Sequence, residues 1–290
     1  TAWSSRSCSH SSSTRPCAVC SQRPNSIIDS VVLMNLVALP AFADNYIWML
    51  HDGARALVVD PGDAAPVTAA LTSLGLELRA ILVTHHHPDH VGGVDALRPL
   101  LHGPVYGPAT ESIPRPFEPL QGGNTLEVLG RRWRVIDVPG HTAGHVAYVE
   151  DDAEASSPIL FCGDTLFSAG CGRLFEGTPA QMVDSLDALN ALPAGTQVCC
   201  THEYTLANLR FAAAVEPDNL HVRRHVAHCE ALRAEGRPTL PSNLAVERRI
   251  NPFLRCTEAG VVEAGISQGA ADRGRVAVFA ALREWKNRFR

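Results

Sequence analysis

The chain has 290 residues, 46% of them hydrophobic and 19% charged, with a formal net charge of −5. Disordered and collagenous classes are excluded, and there is enough apolar residue for the core of one large domain or two smaller ones. With 25 Lys and Arg against 30 Asp and Glu there is no basic excess to hold nucleic acid, and only a local basic pocket stays open. No run reaches the roughly 18 apolar residues of a spanning helix, so no membrane partner is expected.

Residues 1–33 are Ser-rich, with Arg6, Arg15 and Arg23 against the single acid Asp29. They read as a leader outside the fold, either an organelle transit sequence or translated sequence upstream of a start at Met34; the second is preferred. Cys17-x-x-Cys20 lies in this leader without a second pair and is not read as a metal site. The nine cysteines show no regular spacing, which fits a reducing, cytoplasmic compartment better than a disulfide framework.

From Met34 onward strands and helices alternate. Asn35–Leu39, Tyr46–Leu50 and Ala56–Val59 read as strands, the last two paired through a reversal at Asp52-Gly53, and Asp63 caps a helix to about Leu74. Ala80–Thr84 is a short apolar run, a buried strand that delivers the chain into His85. Further strands are expected at Thr125–Val128, Trp133–Val138, Val146–Val149, Ile159–Cys162 and Gln197–Cys200, with a helix over Pro179–Leu192. After His202 the pattern becomes all helix, over Leu206–Val215, Val222–Glu235 and Arg275–Arg290, so a second, helical domain is expected over residues 203–290 behind a first over 34–202. Each histidine or aspartate cluster falls just past a strand, where loops held by a rigid sheet carry chemistry.

Thirteen histidines are unusual, and four stand in Thr84-His85-His86-His87-Pro88-Asp89-His90. Residues i and i+2 of an extended loop point the same way, so His85 and His87 can grip one cation while Asp89 and His90, opening a helix, serve a second. His86 points the other way and reads as structural. Pro88 suits a first helical turn, and Gly92-Gly93 admit close backbone approach. The remaining donors must come from Pro139-Gly-His141-Thr-Ala-Gly-His145, Cys162-Gly-Asp164-Thr165 and Thr201-His202-Glu203. Asp164 is the candidate to bridge two ions through its two oxygens. Imidazole and carboxylate suit zinc or iron, and manganese is also accepted.

These segments, in this order, resemble the metallo-β-lactamase superfamily. Gly163-Asp164-Thr-Leu-Phe-Ser-Ala-Gly-Cys-Gly-Arg173 and His202-Glu-Tyr-Thr205 narrow the resemblance to glyoxalase II, the hydroxyacylglutathione hydrolases. It covers Met34 to Arg290 and implies an αββα sandwich, an α/β fold, with a C-terminal all-helical domain. It also implies His85, His87 and His141 on a first metal, Asp89, His90 and His202 on a second, Asp164 between them, and His145 on neither. Two divalent ions sharing a water lower its pKa from 15.7 towards about 7 and supply hydroxide. Asp89 can orient that nucleophile, and a thiolate leaves without a strong general acid. The implied reaction is hydrolysis of S-D-lactoylglutathione and related 2-hydroxyacyl thioesters to glutathione and D-lactate, the second step of methylglyoxal detoxification.

The resemblance further implies that Arg173, Arg283 and Lys286, the only lysine, hold the anionic thiol moiety, joined by Tyr204 and Asn208. Arg283 and Lys286 are three apart and share a helix face. The family often has Lys at position 173 and Tyr at 175; here Arg173 keeps the charge and Phe175 loses a hydroxyl. Cys171 has no histidine assigned to activate it and reads as structural. The alternatives are a one-iron persulfide dioxygenase, which should lack most second-site donors, and a non-catalytic metal or glutathione-conjugate binder. A monomer acting on a small-molecule glutathione thioester is the expected form.

Overall fold

The computed structural model describes residues 34–151 and 157–289. The expected leader, with Cys17 and Cys20, lies outside the described residues. The first sheet takes β1 (Asn35–Ala41), β2 (Asn45–His51), β3 (Arg55–Val59), β4 (Glu77–Leu82), β5 (Val105–Pro108) and β6 (Glu118–Leu120) in sequence order. Its first three strands form an antiparallel meander; β3 to β6 run parallel. Between them lie α1 (Ala64–Leu74), α2 (Pro88–Val91) and α3 (Val94–Leu97). Asp63 caps α1 by accepting from the Ala65 amide, as its position predicts.

The second sheet contains β7 (Thr125–Val128), β8 (Arg131–Asp137), β9 (Val146–Glu150), β10 (Ile159–Gly163) and β13 (Gln197–Cys200), closed by β14 (Ser242–Asn243). A small hairpin, β11 (Leu166–Phe167) and β12 (Gly170–Cys171), follows β10, and α4 (Pro179–Asn190) precedes β13. The C-terminal region carries α5 (Thr205–Val215), α6 (Leu220–Ala234), α7 (Leu244–Ile250), α8 (Ala259–Ser267) and α9 (Arg275–Arg288). It is not purely helical: Ser242 and Asn243 pair with Val198 and Gln197, so this region supplies the edge strand of the second sheet. A two-residue strand with no apolar alternation leaves no period to read. Strands β5 and β6 escape sequence reading for a related reason, since both are short and contain proline.

Alternation in β2 shows why the runs read as apolar throughout. Tyr46, Trp48 and Leu50 face the inter-sheet core with Trp133, Tyr148 and Phe161, whereas Ile47 and Met49 pack outward with Val67 and Leu71 of α1. Two buried side chains tie the sheets at the end where the chain leaves them. Tyr148 Oη donates to the Val83 carbonyl at 2.8 Å, and Trp48 Nε1 to the Cys200 carbonyl at 2.9 Å. Both carbonyls lie two residues before a histidine, His85 and His202.

Candidate metal centre and adjoining cavity

Strand β4 ends at Leu82 and the chain reaches His85 with Thr84 pinned on both sides. The Thr84 amide and hydroxyl donate to Asp60 at 2.7 and 2.8 Å, and its carbonyl accepts from Val146 at 3.0 Å. His85 Nε2 and His141 Nε2 each stand 3.0 Å from His87 Nδ1. Burial lowers the pKa of all three rings, well below the usual value for the fully buried His85, where neighbouring imidazoles add to the effect. Neutral imidazoles with converging lone pairs are the ligand form. The other nitrogen of His141 lies 2.9 Å from the Arg173 carbonyl, which fixes that ring by donation from Nδ1.

Asp89, His90 and His202 make a second convergent set. Asp89 Oδ2 accepts from the Asn45 amide at 3.0 Å and lies 3.6 Å from His90 Nε2 and 3.5 Å from His202 Nε2. Behind the rings stand two further carboxylates: Asp60 is 3.1 Å from His90 Nδ1, and Asp44 is 2.8 Å from His202 Nδ1. This half is rich in negative charge. Burial pushes the His202 pKa down, but the hydrogen bond and charge of Asp164 with the bond to Asp44 outweigh it and raise it to about 9. His90 is also raised, by Asp164 and Asp60 against its burial.

Asp164 sits between the sets. Its Oδ2 is 3.4 Å from His141 Nε2 and 3.3 Å from His202 Nε2, and its Oδ1 is 3.5 Å from His90 Nε2. Burial favours its neutral form, yet His90 and His202 hold the carboxyl well below the usual range. Gly163 makes the turn possible at φ +46°, and a Cβ there would stand 2.3 Å from Thr84 Oγ1. His145, stacked on His85 at 4.6 Å, accepts from the Asp164 amide at 3.1 Å and so supports both sets without joining either.

His90 Nε2 and Asp164 Oδ1 are buried without a hydrogen-bond partner, a cost native structures seldom carry unless something else satisfies them. These orphaned atoms, the three neutral imidazoles and the charge-rich second set together fit divalent metal binding. Every metal donor anticipated from sequence is brought into one of these groups.

A cavity of about 490 Å³ opens from His141 and Asp164 and is lined by all six anticipated thiol-side residues. Phe175 stands at its mouth, 61% exposed, with its ring 5.1 Å from that of His141 and 5.6 Å from that of His87. Arg283 is buried, donates to the Cys171 carbonyl at 2.8 Å and lies over Phe253. Lys286 donates to the Ala207 carbonyl at 3.0 Å, and burial with the neighbouring Arg283 brings its pKa down to about 8. Among the described residues, neither Arg173, Arg283 nor Lys286 has an acidic partner within salt-bridge distance, so three cations face the cavity unneutralised. Asn208 also lines it, but its amide is committed to the Ser168 carbonyl at 3.0 Å. Cys171 is buried and its thiol pushed up by that burial, against activation as a nucleophile. Tyr204 stacks on His202 at 4.7 Å and bridges centre and cavity.

Sequence reading passed over Asp60, Asp44 and Asn45, which face or hydrogen-bond the donors His90, His202 and Asp89. Asp60 carried a usable signal, since it stands just past β3 as the donors stand past their strands. It holds φ +52°, a conformation an aspartate keeps only where the surroundings enforce it.

Residues 42–202 match the family model of the metallo-beta-lactamase superfamily, and residues 203–289 that of the hydroxyacylglutathione hydrolase C-terminus. A hydroxyacylglutathione hydrolase from Albidiferax ferrireducens is 59% identical over 256 residues, 88% of this chain and 100% of that protein. One from Pseudomonas aeruginosa is 54% identical over 261 residues, 89% of this chain and 100% of its own. Among solved structures, a protein crystallised in a di-iron-bound form is 28% identical at TM-score 0.52, over 76% of this chain and 100% of that one. ETHE1 from Myxococcus xanthus shares the fold at 22% identity and TM-score 0.58, over 88% and 98%.

Proposed function

This chain belongs to the hydroxyacylglutathione hydrolase family of the metallo-beta-lactamase superfamily, and from that membership we propose that it hydrolyses S-D-lactoylglutathione and related 2-hydroxyacylglutathione thioesters to glutathione and the free hydroxy acid. One observation supports the reading: a cavity lined by three cations without acidic partners among the described residues opens onto two convergent histidine and aspartate sets with Asp164 between them. Glutathione is anionic overall, and its peptide part would lie among Arg173, Arg283 and Lys286 with the thioester towards His141 and Asp164, which line the same cavity.

His85, His87 and His141 would hold one divalent ion, Asp89, His90 and His202 a second, and Asp164 would bridge them. The donor set suits zinc first, with iron or manganese accepted; a 28% identical relative crystallised with two irons supports two ions rather than one. Such ions lower the pKa of a shared water towards about 7 and polarise the substrate carbonyl.

The chain's own groups do the rest. Asp89 Oδ2 accepts from the Asn45 side-chain amide, which fixes the carboxylate so that it can accept a hydrogen bond from the nucleophile and orient it. Tyr204, stacked on His202, flanks the path from the cavity to the reacting carbon. As the new C–O bond forms, the C–S bond breaks and the electron pair leaves with sulfur. A thiol of pKa about 8.5 departs as thiolate, so no dedicated acid is required. The complete second donor set counts against the one-iron dioxygenase, which has no use for Asp89 and His202.

Six described cysteines are free and buried, which supports a reducing cytoplasmic setting, and we read the chain as a monomer acting there. Among the described residues no helix is long and apolar enough to cross a membrane. Thiol release from lactoylglutathione, from other glutathione thioesters and from a thioester lacking the glutamyl and glycyl carboxylates tests the substrate assignment. Turnover should require the glutathione part. Equal kcat/KM on the truncated thioester contradicts it.

A further inference from the structure

We propose that Glu111 is a positioning residue that sets the spacing between His87 and His141 by clamping together the loops that carry them. Glu111 lies in the connection between β5 and β6 and belongs to neither donor set. One carboxylate serves both loops, an oxygen to each. Oε2 accepts from the His86 amide at 2.6 Å and faces His86 Nδ1 at 2.8 Å; Oε1 accepts from the Gly144 amide at 3.0 Å and from the Thr142 hydroxyl.

The side chain is only 3% exposed, so water does not replace these bonds readily. Its backbone is anchored as well: the Glu111 carbonyl accepts from Ile113 at 3.0 Å, and Ile113 packs buried beneath Gly107. The second loop docks directly on this connection, because a Cβ at Gly144 would stand 2.3 Å from Thr110 Oγ1 and 2.6 Å from Glu111 Cγ. The first loop comes from the first sheet and the second from the other, so the clamp spans the sandwich at its functional edge. Glu176, from the segment carrying Arg173 and Phe175, repeats the pattern on the outside, accepting from the Ala143 amide at 2.7 Å with His86 Nε2 3.6 Å away. His86, the one histidine of the first cluster turned away from the donors, thereby has a role as a strut.

The inference rests on the metal-binding reading above. It predicts that loss of the carboxylate loosens the three-histidine set while Asp89, His90 and His202, which touch no part of the clamp, are spared. Full-length wild type, Glu111→Gln and Glu111→Ala are loaded with zinc or cobalt. Metal per chain, competitive metal affinity, the cobalt absorption spectrum, kcat, KM and Tm are then measured on the same samples.

Glu111→Ala should retain about one ion fewer, or bind one ion about 10- to 100-fold more weakly. Its cobalt spectrum should lose the contribution of the three-histidine set, and kcat should fall with KM within about threefold. Glu111→Gln keeps the shape but turns an amide donor towards one loop, and should lie between Ala and wild type. If Glu111→Ala does not fold, the Gln variant decides by the same readings. Two ions held at wild-type affinity with wild-type kcat in the folded variants, whatever happens to Tm, overturns the inference alone. A wild-type chain that binds no metal overturns the metal reading and this inference with it.

Discussion

The metal centre and the adjoining cavity share Asp164 and His141, yet they are built by different means. Most of the candidate donors stand a few residues past a strand end, His90 lies within the short helix that follows, and several have a fixed partner behind them, such as the Arg173 carbonyl for His141 or Asp44 for His202. The cavity instead takes its cations from a loop and a helix. Arg283 and Lys286 lean on carbonyl oxygens and aromatic faces, with no acid to neutralise them. Ligation needs atoms held to a few tenths of an ångström and is assigned to short side chains on rigid edges. Recognition of a flexible anion needs charge within reach, and long side chains supply it.

Damage to the first region should therefore abolish chemistry, and damage to the second should weaken binding. The largest effect is expected for Asp164→Ala, which removes the carboxylate lying between the two candidate donor sets. Metal retention should collapse and kcat should fall by about 10³-fold or more, the several kcal/mol that ion-assisted polarisation supplies; metal analysis with single-turnover thiol release checks this. Next is Arg283→Ala combined with Lys286→Ala. Hydrogen bonds to charged groups are worth about 1.5–3 kcal/mol each, so losing two should raise KM by about 100-fold or more while kcat and metal content hold. A fall in kcat with KM unmoved would erase the distinction between the regions.

A smaller effect sharpens it through pH. Lys286 is pushed down to about 8, chiefly by burial. Below that value Nζ is charged and can hold an anion; as pH rises through it the charge is lost. KM should then climb by up to about tenfold per pH unit, and Lys286→Gln should remove that limb while leaving the pH dependence of kcat in place. The smallest effect is expected for Phe175→Tyr. It restores a hydroxyl at the cavity mouth and should lower KM by about fivefold, the worth of one hydrogen bond near 1 kcal/mol.

The two regions also differ in how well they could be read. His85, His87, Asp89, His90 and Asp164 were legible because strand-end placement and residue chemistry leave few other uses for such clusters, whereas the choice of His141 over His145 and of His202 came through resemblance. The cavity was legible largely through resemblance, since one lysine and two arginines have no spacing of their own that marks a site. Supports such as Asp44 and Glu111 stayed hidden because a lone acid in a loop looks the same whether it faces water or holds a partner in place. In the fold, the long strands and capped helices followed their periodicity, as α1 behind Asp63 shows. Strand β14 did not, because pairing with β13, rather than any local pattern, makes it a strand.

The proposed hydrolysis needs two ions, with Asp164 between them. Its most direct test is titration of metal-free protein with zinc, with bound metal and lactoylglutathione turnover read on the same samples. Turnover that rises to its plateau only as the second equivalent binds is the predicted result. Full turnover at one equivalent or none would contradict it.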